Sequence, residues 1–210
     1  SDWVQTCALP ILAVSFALGF ALTYMFGYED EVEEVAGAIS EAETDRLTEE
    51  AVTGTIASPS EGVIQTPIVG DVVALSNVND PVFSSGAMGQ GIAVKPSQDV
   101  VYAPADAEVT IVFPTGHAYG LRTANGAEIL IHVGIDTVSM NGEGFNQKVN
   151  QGDKVKAGDV LGAFDSAKIA AAGLDNTTMV IVTNTADFAS VNPVASGSVA
   201  KGDAVIEVKA

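Results

Sequence analysis

Between Glu128 and Val138 an apolar run ends in a histidine. Ile129, Leu130 and Ile131 read as a buried strand, and His132 follows at once. Gly134, Asp136 and Thr137 come next, then the turn-rich Asn141, Gly142, Glu143, Gly144 and Phe145. An unpaired imidazole is costly to bury, so polar chemistry at the mouth of an apolar strand needs a reason. The chain holds two histidines. The other, His117, lies among Phe113, Pro114, Thr115, Gly116, Ala118 and Tyr119, which read as the end of the preceding strand. Histidines on neighbouring antiparallel strands can face each other across a pair. One histidine at a strand end is ordinarily a satisfied structural residue. Two, each with Gly and Thr close by, make a candidate functional pair.

The rest of the composition narrows the setting. A chain of 210 residues suits one domain of about 150 residues plus additional segments. High apolar content, few aromatics and 21 glycines suit a turn-rich β domain of Val and Ile strands. A net charge of −18 argues against nucleic-acid binding and favours a basic protein partner or solubility. The single cysteine excludes an internal disulfide and a multi-cysteine zinc site, which fits a reducing compartment.

Taken in order, residues 1–11 look unlike the rest and resemble a translated sequencing-adapter remnant, so Trp3 and Cys7 are expected to carry no function. Residues 8–26 are apolar and uncharged, and a run of about 18 such residues is long enough to span a membrane. Tyr24, Phe26 and Tyr28 would sit at its water interface. Residues 29–60 read as an acidic linker that ends in Thr, Gly, Ser and Pro. From residue 61 short apolar runs alternate with Gly and Asp turns. Strands are expected at 63–64, 72–75, 92–94, 100–102, 108–113 and 205–208, a loop at 80–84, and one short helix at 166–172. The predicted fold is all-β, an antiparallel sandwich or barrel of short strands, preceded by one apolar membrane helix and the linker.

Ile131, His132, Val133, Gly134, Ile135, Asp136, Thr137 and Val138, with residues 141–145 behind them, resemble the phosphohistidine signature of the glucose-family IIA domain of the bacterial phosphoenolpyruvate-dependent sugar phosphotransferase system. The resemblance runs from about Ser60 to the C-terminus. It implies that residues 61–210 are the IIA domain and residues 12–28 the end of the last helix of the IIC membrane domain. The whole then resembles the C-terminal part of a fused permease of the β-glucoside, sucrose or trehalose type. The implied location is the cytoplasmic membrane, anchored through residues 8–26 with the IIA domain in the cytoplasm. The implied partners are the phosphocarrier HPr, the IIB domain and IIC, through which such permeases dimerise.

By the same resemblance His132 is the phosphorylated residue, His117 the second histidine that bonds the phosphoryl group, and Thr115 the hydroxyl that orients His117. Val82, Phe83, Ala87, Met88, Leu130 and Val138 fall at apolar collar positions, Asp80 and Asp136 at an acidic rim. Gly116, where a larger polar residue can occur, and Pro114, which lacks a backbone donor, depart from the pattern and are expected to alter the loop's shape. Phosphotransfer suits the residues chemically. A neutral imidazole near its pKa is nucleophilic, and the protein has only to position the partners and exclude water.

Other readings stay open at this level. A zinc hydrolase would need three protein ligands and an open position, and the candidates are His117, His132 and Asp136. A zinc ion held by His117 and His132 with a partner's carboxylate is a further arrangement. The Gly-Asp turns beside Lys154 and Lys156 bring a biotinyl or lipoyl carrier to mind, but Lys168 lacks that context. A regulatory module that binds other proteins according to its phosphorylation state is the last.

Overall fold

The computed structural model describes residues 62–210. The adapter-like segment 1–11, the apolar run 8–26 and the whole acidic linker 29–60 therefore lie outside the described residues. Among the described residues no helix is long and apolar enough to cross a membrane.

The strands are β1 (Gly62–Gln65), β2 (Gly70–Ala74), β3 (Gln90–Pro96), β4 (Val100–Tyr102), β5 (Ala107–Val112), β6 (Ala118–Thr123), β7 (Glu128–His132), β8 (Phe145–Gln147), β9 (Lys154–Val155), β10 (Val160–Phe164), β11 (Thr178–Val182), β12 (Ser190–Pro193), β13 (Gly197–Val199) and β14 (Ala204–Lys209). All their pairings are antiparallel. The main sheet has the order β13-β2-β3-β11-β7-β6-β5-β9, and two three-stranded sheets, β1-β14-β12 and β4-β10-β8, accompany it. The all-β expectation holds. The main sheet, however, stays open at β13 and β9 rather than closing into a barrel.

Side-chain alternation explains the layering. Successive residues of a strand face opposite sides of the sheet. Ile129 and Ile131 of β7 join Val180 and Val182 of β11 and Ile92 and Val94 of β3 in the main core. The intervening Met179, Ile181 and Ala93 turn to the other face, where they pack with Leu75, Val78 and Phe83 in a second, smaller apolar cluster. Strands covered on both sides read as continuous apolar runs, which is why residues 129–131 show no alternation. Val73, Ala93, Met179, His132 and Ala118 stand in one register row across β2, β3, β11, β7 and β6. His132 therefore lies on the face of the smaller cluster.

The Gly-Asp turns repeat one device. The carboxylates of Asp153, Asp159 and Asp203 each accept the backbone N–H three residues earlier, of Asn150, Lys156 and Ala200, at 2.8 Å. Helices are short. The expected one spans Ser166–Ala171, with the Asp165 side chain accepting from Lys168 N. The loop expected at 80–84 contains a second, Pro81–Ser84. Its cause is local: Asp80 Oδ1 accepts from Val82 N at 2.7 Å and Phe83 N at 3.3 Å, and Pro81 occupies the first turn, where no N–H is needed.

Candidate phosphoryl-transfer site

His117 is placed by a tight turn rather than by a strand end. Gly116 N donates to Phe113 O at 2.7 Å, closing a turn over Pro114 and Thr115, and β6 begins only at Ala118. Gly116 has φ +67°, the left-handed conformation that a larger residue adopts at a cost, and Pro114 sits where turns favour proline. Gly116 and Pro114 thus build the turn that sets Thr115 beside His117. The register partner of His132 is Ala118, not His117, and the Val133 N–H donates to His117 O at 2.8 Å. The two rings nevertheless meet, with centroids 4.8 Å apart and planes at 81°.

Each ring is oriented through Nδ1. His132 Nδ1 lies 2.9 Å from Gly134 O. A carbonyl only accepts, so Nδ1 carries the proton and the Nε2 lone pair is available. His132 Nε2 is buried without a hydrogen-bond partner. His117 Nδ1 lies 2.5 Å from Thr115 Oγ1. Burial is nearly complete, 3% exposure for His132 and 0% for His117. That burial pushes His132 down to about 4, against the opposing pull of the Gly134 carbonyl, Asp80 and Asp136. It pushes His117 down to about 3, assisted by repulsion from His132. Both rings are neutral near pH 7 and His132 presents a nucleophilic nitrogen.

Most of the expected collar gathers here. The Phe83 ring, 3% exposed, lies 5.1 Å from the His132 ring and packs with Met88 and Ile135. Leu130 shares the His132 face, two residues away on β7, and pairs with Ile181. Val82 and Ala87 stand on the segment that carries Phe83, half-buried and exposed, and Val138 is half-buried on the turn after His132. Asp80 and Asp136 lie close enough to bias the charge of His132, and Asp80 also caps the helix that presents Phe83. Two aromatics absent from the expected collar complete it. Phe113 and Phe145 flank His117 at centroid distances of 5.5 and 6.4 Å. Their signal in the sequence was an aromatic on each glycine-bearing turn around the pair.

Both Nδ1 atoms are engaged, so a metal-ligating nitrogen on either ring would be Nε2. Among the described residues no three His, Cys, Asp or Glu side chains gather as a metal-binding set. A zinc ion held between these rings would draw further ligands from a partner.

Residues 62–188 match the family described as phosphoenolpyruvate-dependent sugar phosphotransferase system, EIIA 1. The chain is 41% identical over 186 residues to the PTS system beta-glucoside-specific EIIBCA component of Dickeya chrysanthemi, over 89% of this chain and 29% of that protein. It is 43% identical over 145 residues to the PTS system glucose-specific EIIA component of Oceanobacillus iheyensis, over 69% of this chain and 88% of that protein. The solved glucose permease IIA from Mycoplasma capricolum superposes with a TM-score of 0.67 at 34% identity, over 70% of this chain and 96% of that one. The chain thus spans less than a third of the length of the EIIBCA relative.

Proposed function

The chain belongs to the EIIA 1 family of the phosphoenolpyruvate-dependent sugar phosphotransferase system, and from that membership we propose that His132 is its phosphoryl carrier. It is a phosphotransferase component of the EIIA type. The observation that carries the assignment is the Nδ1–H bond of His132 to Gly134 O, which leaves a buried, partnerless Nε2 beside a second imidazole. In the proposed step the Nε2 lone pair attacks the phosphorus of phosphorylated HPr. A P–N bond forms at His132 while the bond from phosphorus to HPr breaks and its electron pair returns to HPr. No proton leaves His132, because Nδ1–H stays on Gly134 O. With Thr115 holding its Nδ1, His117 presents Nε2–H to a phosphoryl oxygen and stabilises charge there.

The phosphoryl group then passes to a cysteine on the IIB domain, which phosphorylates the sugar during uptake. Phe83, Met88 and Leu130, with Val82, Ala87 and Val138 around them, form the dry docking rim, and Asp80 and Asp136 its acidic edge. Since His132 is 3% exposed, Phe83 and its segment must give way as a partner docks. Dry contact at that moment protects the labile P–N bond from water. The beta-glucoside-specific relative supports a IIBCA arrangement for the longer protein, with residues 12–28 as the end of the last IIC helix and 29–60 as a linker. The domain would then work on the cytoplasmic face of the membrane. Transfer of radiolabel from phosphorylated HPr tests this reading. His132→Ala should abolish labelling, and His117→Gln should accept label yet pass it to IIB poorly. Labelling of His132→Ala at the wild-type level would refute it.

A further inference from the structure

Thr137 has no task in the scheme above, yet it bonds the backbone of Val133, the residue that links the two histidine segments. It is 0% exposed on the short turn Thr137–Met140. Its hydroxyl donates to Val133 O at 2.5 Å, and the N–H of that same residue, Val133, donates to His117 O at 2.8 Å. Its methyl faces the next peptide. A Cβ on Gly134 would lie 2.3 Å from Thr137 Cγ2 and 2.9 Å from Asp175 O, so Gly134 is closed in from two sides at φ +78°. Ile135 N donates to Asp175 O at 2.8 Å and fixes the far end of the loop. Between these supports lies Gly134 O, the acceptor for His132 Nδ1.

We propose that Thr137 is a positioning residue for phosphoryl transfer: its hydroxyl holds the carbonyl of Val133, the residue whose N–H ties the two histidine segments, so that the next carbonyl, Gly134 O, stays on His132 Nδ1. The proposal rests on the assignment of His132 as phosphoryl carrier. A buried threonine hydroxyl ordinarily bonds a nearby carbonyl for its own satisfaction. Here the carbonyl chosen is one peptide away from the group that sets the tautomer of the reactive ring. Loss of the hydroxyl lets the 133–134 peptide rotate, Gly134 O drifts from Nδ1, and His132 exchanges between tautomers, of which only one offers Nε2.

The test uses the full chain with Thr137→Val, which keeps the shape without the hydroxyl, and Thr137→Ser, which keeps the hydroxyl without the methyl. Nitrogen chemical shifts of the His132 ring are read without any phosphoryl donor, and the rate of label uptake from HPr is read separately. Thr137→Val should move the ring shifts from a single tautomer toward a mixture. It should slow uptake about five- to tenfold, the loss expected for one hydrogen bond, at an unchanged half-saturating HPr concentration. Thr137→Ser should recover the ring shifts and most of the rate. Wild-type ring shifts in Thr137→Val overturn the proposal. So does a Thr137→Ser variant as altered as Thr137→Val, and that comparison with wild type decides the matter if Thr137→Val does not fold. Site mapping on the wild type tests the His132 assignment independently: label elsewhere removes that assignment, while the ring shifts still report on the brace.

Discussion

Lowering the pH from 7 to 5 should destabilise this domain through His117 and His132. Burial holds them at about 3 and about 4 against a usual value of 6.5. Between those values the unfolded chain binds protons that the native rings refuse. Stability is therefore full above about pH 6.5 and falls as the pH drops toward the native values. Each ring costs about 1.4 kcal/mol per pH unit across that window, so about 2 kcal/mol per ring is lost between pH 7 and 5, and about 4 kcal/mol for the pair. The groups facing the rings act in both directions. Asp80 and Asp136 favour a charged His132, His132 disfavours a charged His117, and desolvation outweighs the carboxylates. Urea unfolding at both pH values, on wild type, His117→Gln, His132→Gln and the double variant, measures the effect. Glutamine cannot charge, so each single variant should keep about half of the loss and the double variant little of it. Ordinary carboxylates titrate near pH 4 and supply a background common to all four proteins. A double variant that loses as much stability as wild type would refute the neutral, buried pair.

Other consequences follow from the loop and the collar. Gly134→Ala forces a left-handed backbone on alanine and sets its Cβ 2.3 Å from Thr137 Cγ2. The strain is about 1 kcal/mol and the overpacking about 1–3 kcal/mol, so urea unfolding should show a loss of about 2–4 kcal/mol, and a change under ~0.5 kcal/mol would count against the clamp. Phe83→Ala removes the ring 5.1 Å from His132 and should cost about 3 kcal/mol. The phosphoryl group on the purified variant should hydrolyse faster than on wild type, and equal half-lives would show that Phe83 does not shield it.

What the sequence disclosed, and what it hid, divides along physical lines. The strand ending at His132 was legible because a strand covered on both faces has no choice but apolar residues. Residues 178–182 carry the same pattern, Thr, Met, Val, Ile and Val, and form β11, the register neighbour of β7. That strand is less legible because it follows an alanine-rich helix, and a short apolar run does not by itself tell strand from helix. The helix Pro81–Ser84 is one turn long, too short for periodicity, and exists through the Asp80 cap. His117 was legible as a partner but not in its placement. It reaches His132 from a turn, one residue out of register, because Gly116 and Pro114 bend the chain there. Asp136 was read as an acidic rim residue, and it also carries φ +58°, a backbone conformation with no mark in the sequence.

The central claim is that Gly134 O, by holding the proton on Nδ1, makes Nε2 of His132 the nitrogen that receives phosphorus. Phosphorus NMR of the full chain, phosphorylated by phosphoenolpyruvate, the first enzyme of the system and HPr, and compared with His132→Ala, reads that atom directly. The account predicts one acid-labile phosphohistidine signal, of the Nε2 type and absent from the variant. A signal of the Nδ1 type, or one that persists in His132→Ala, would contradict it.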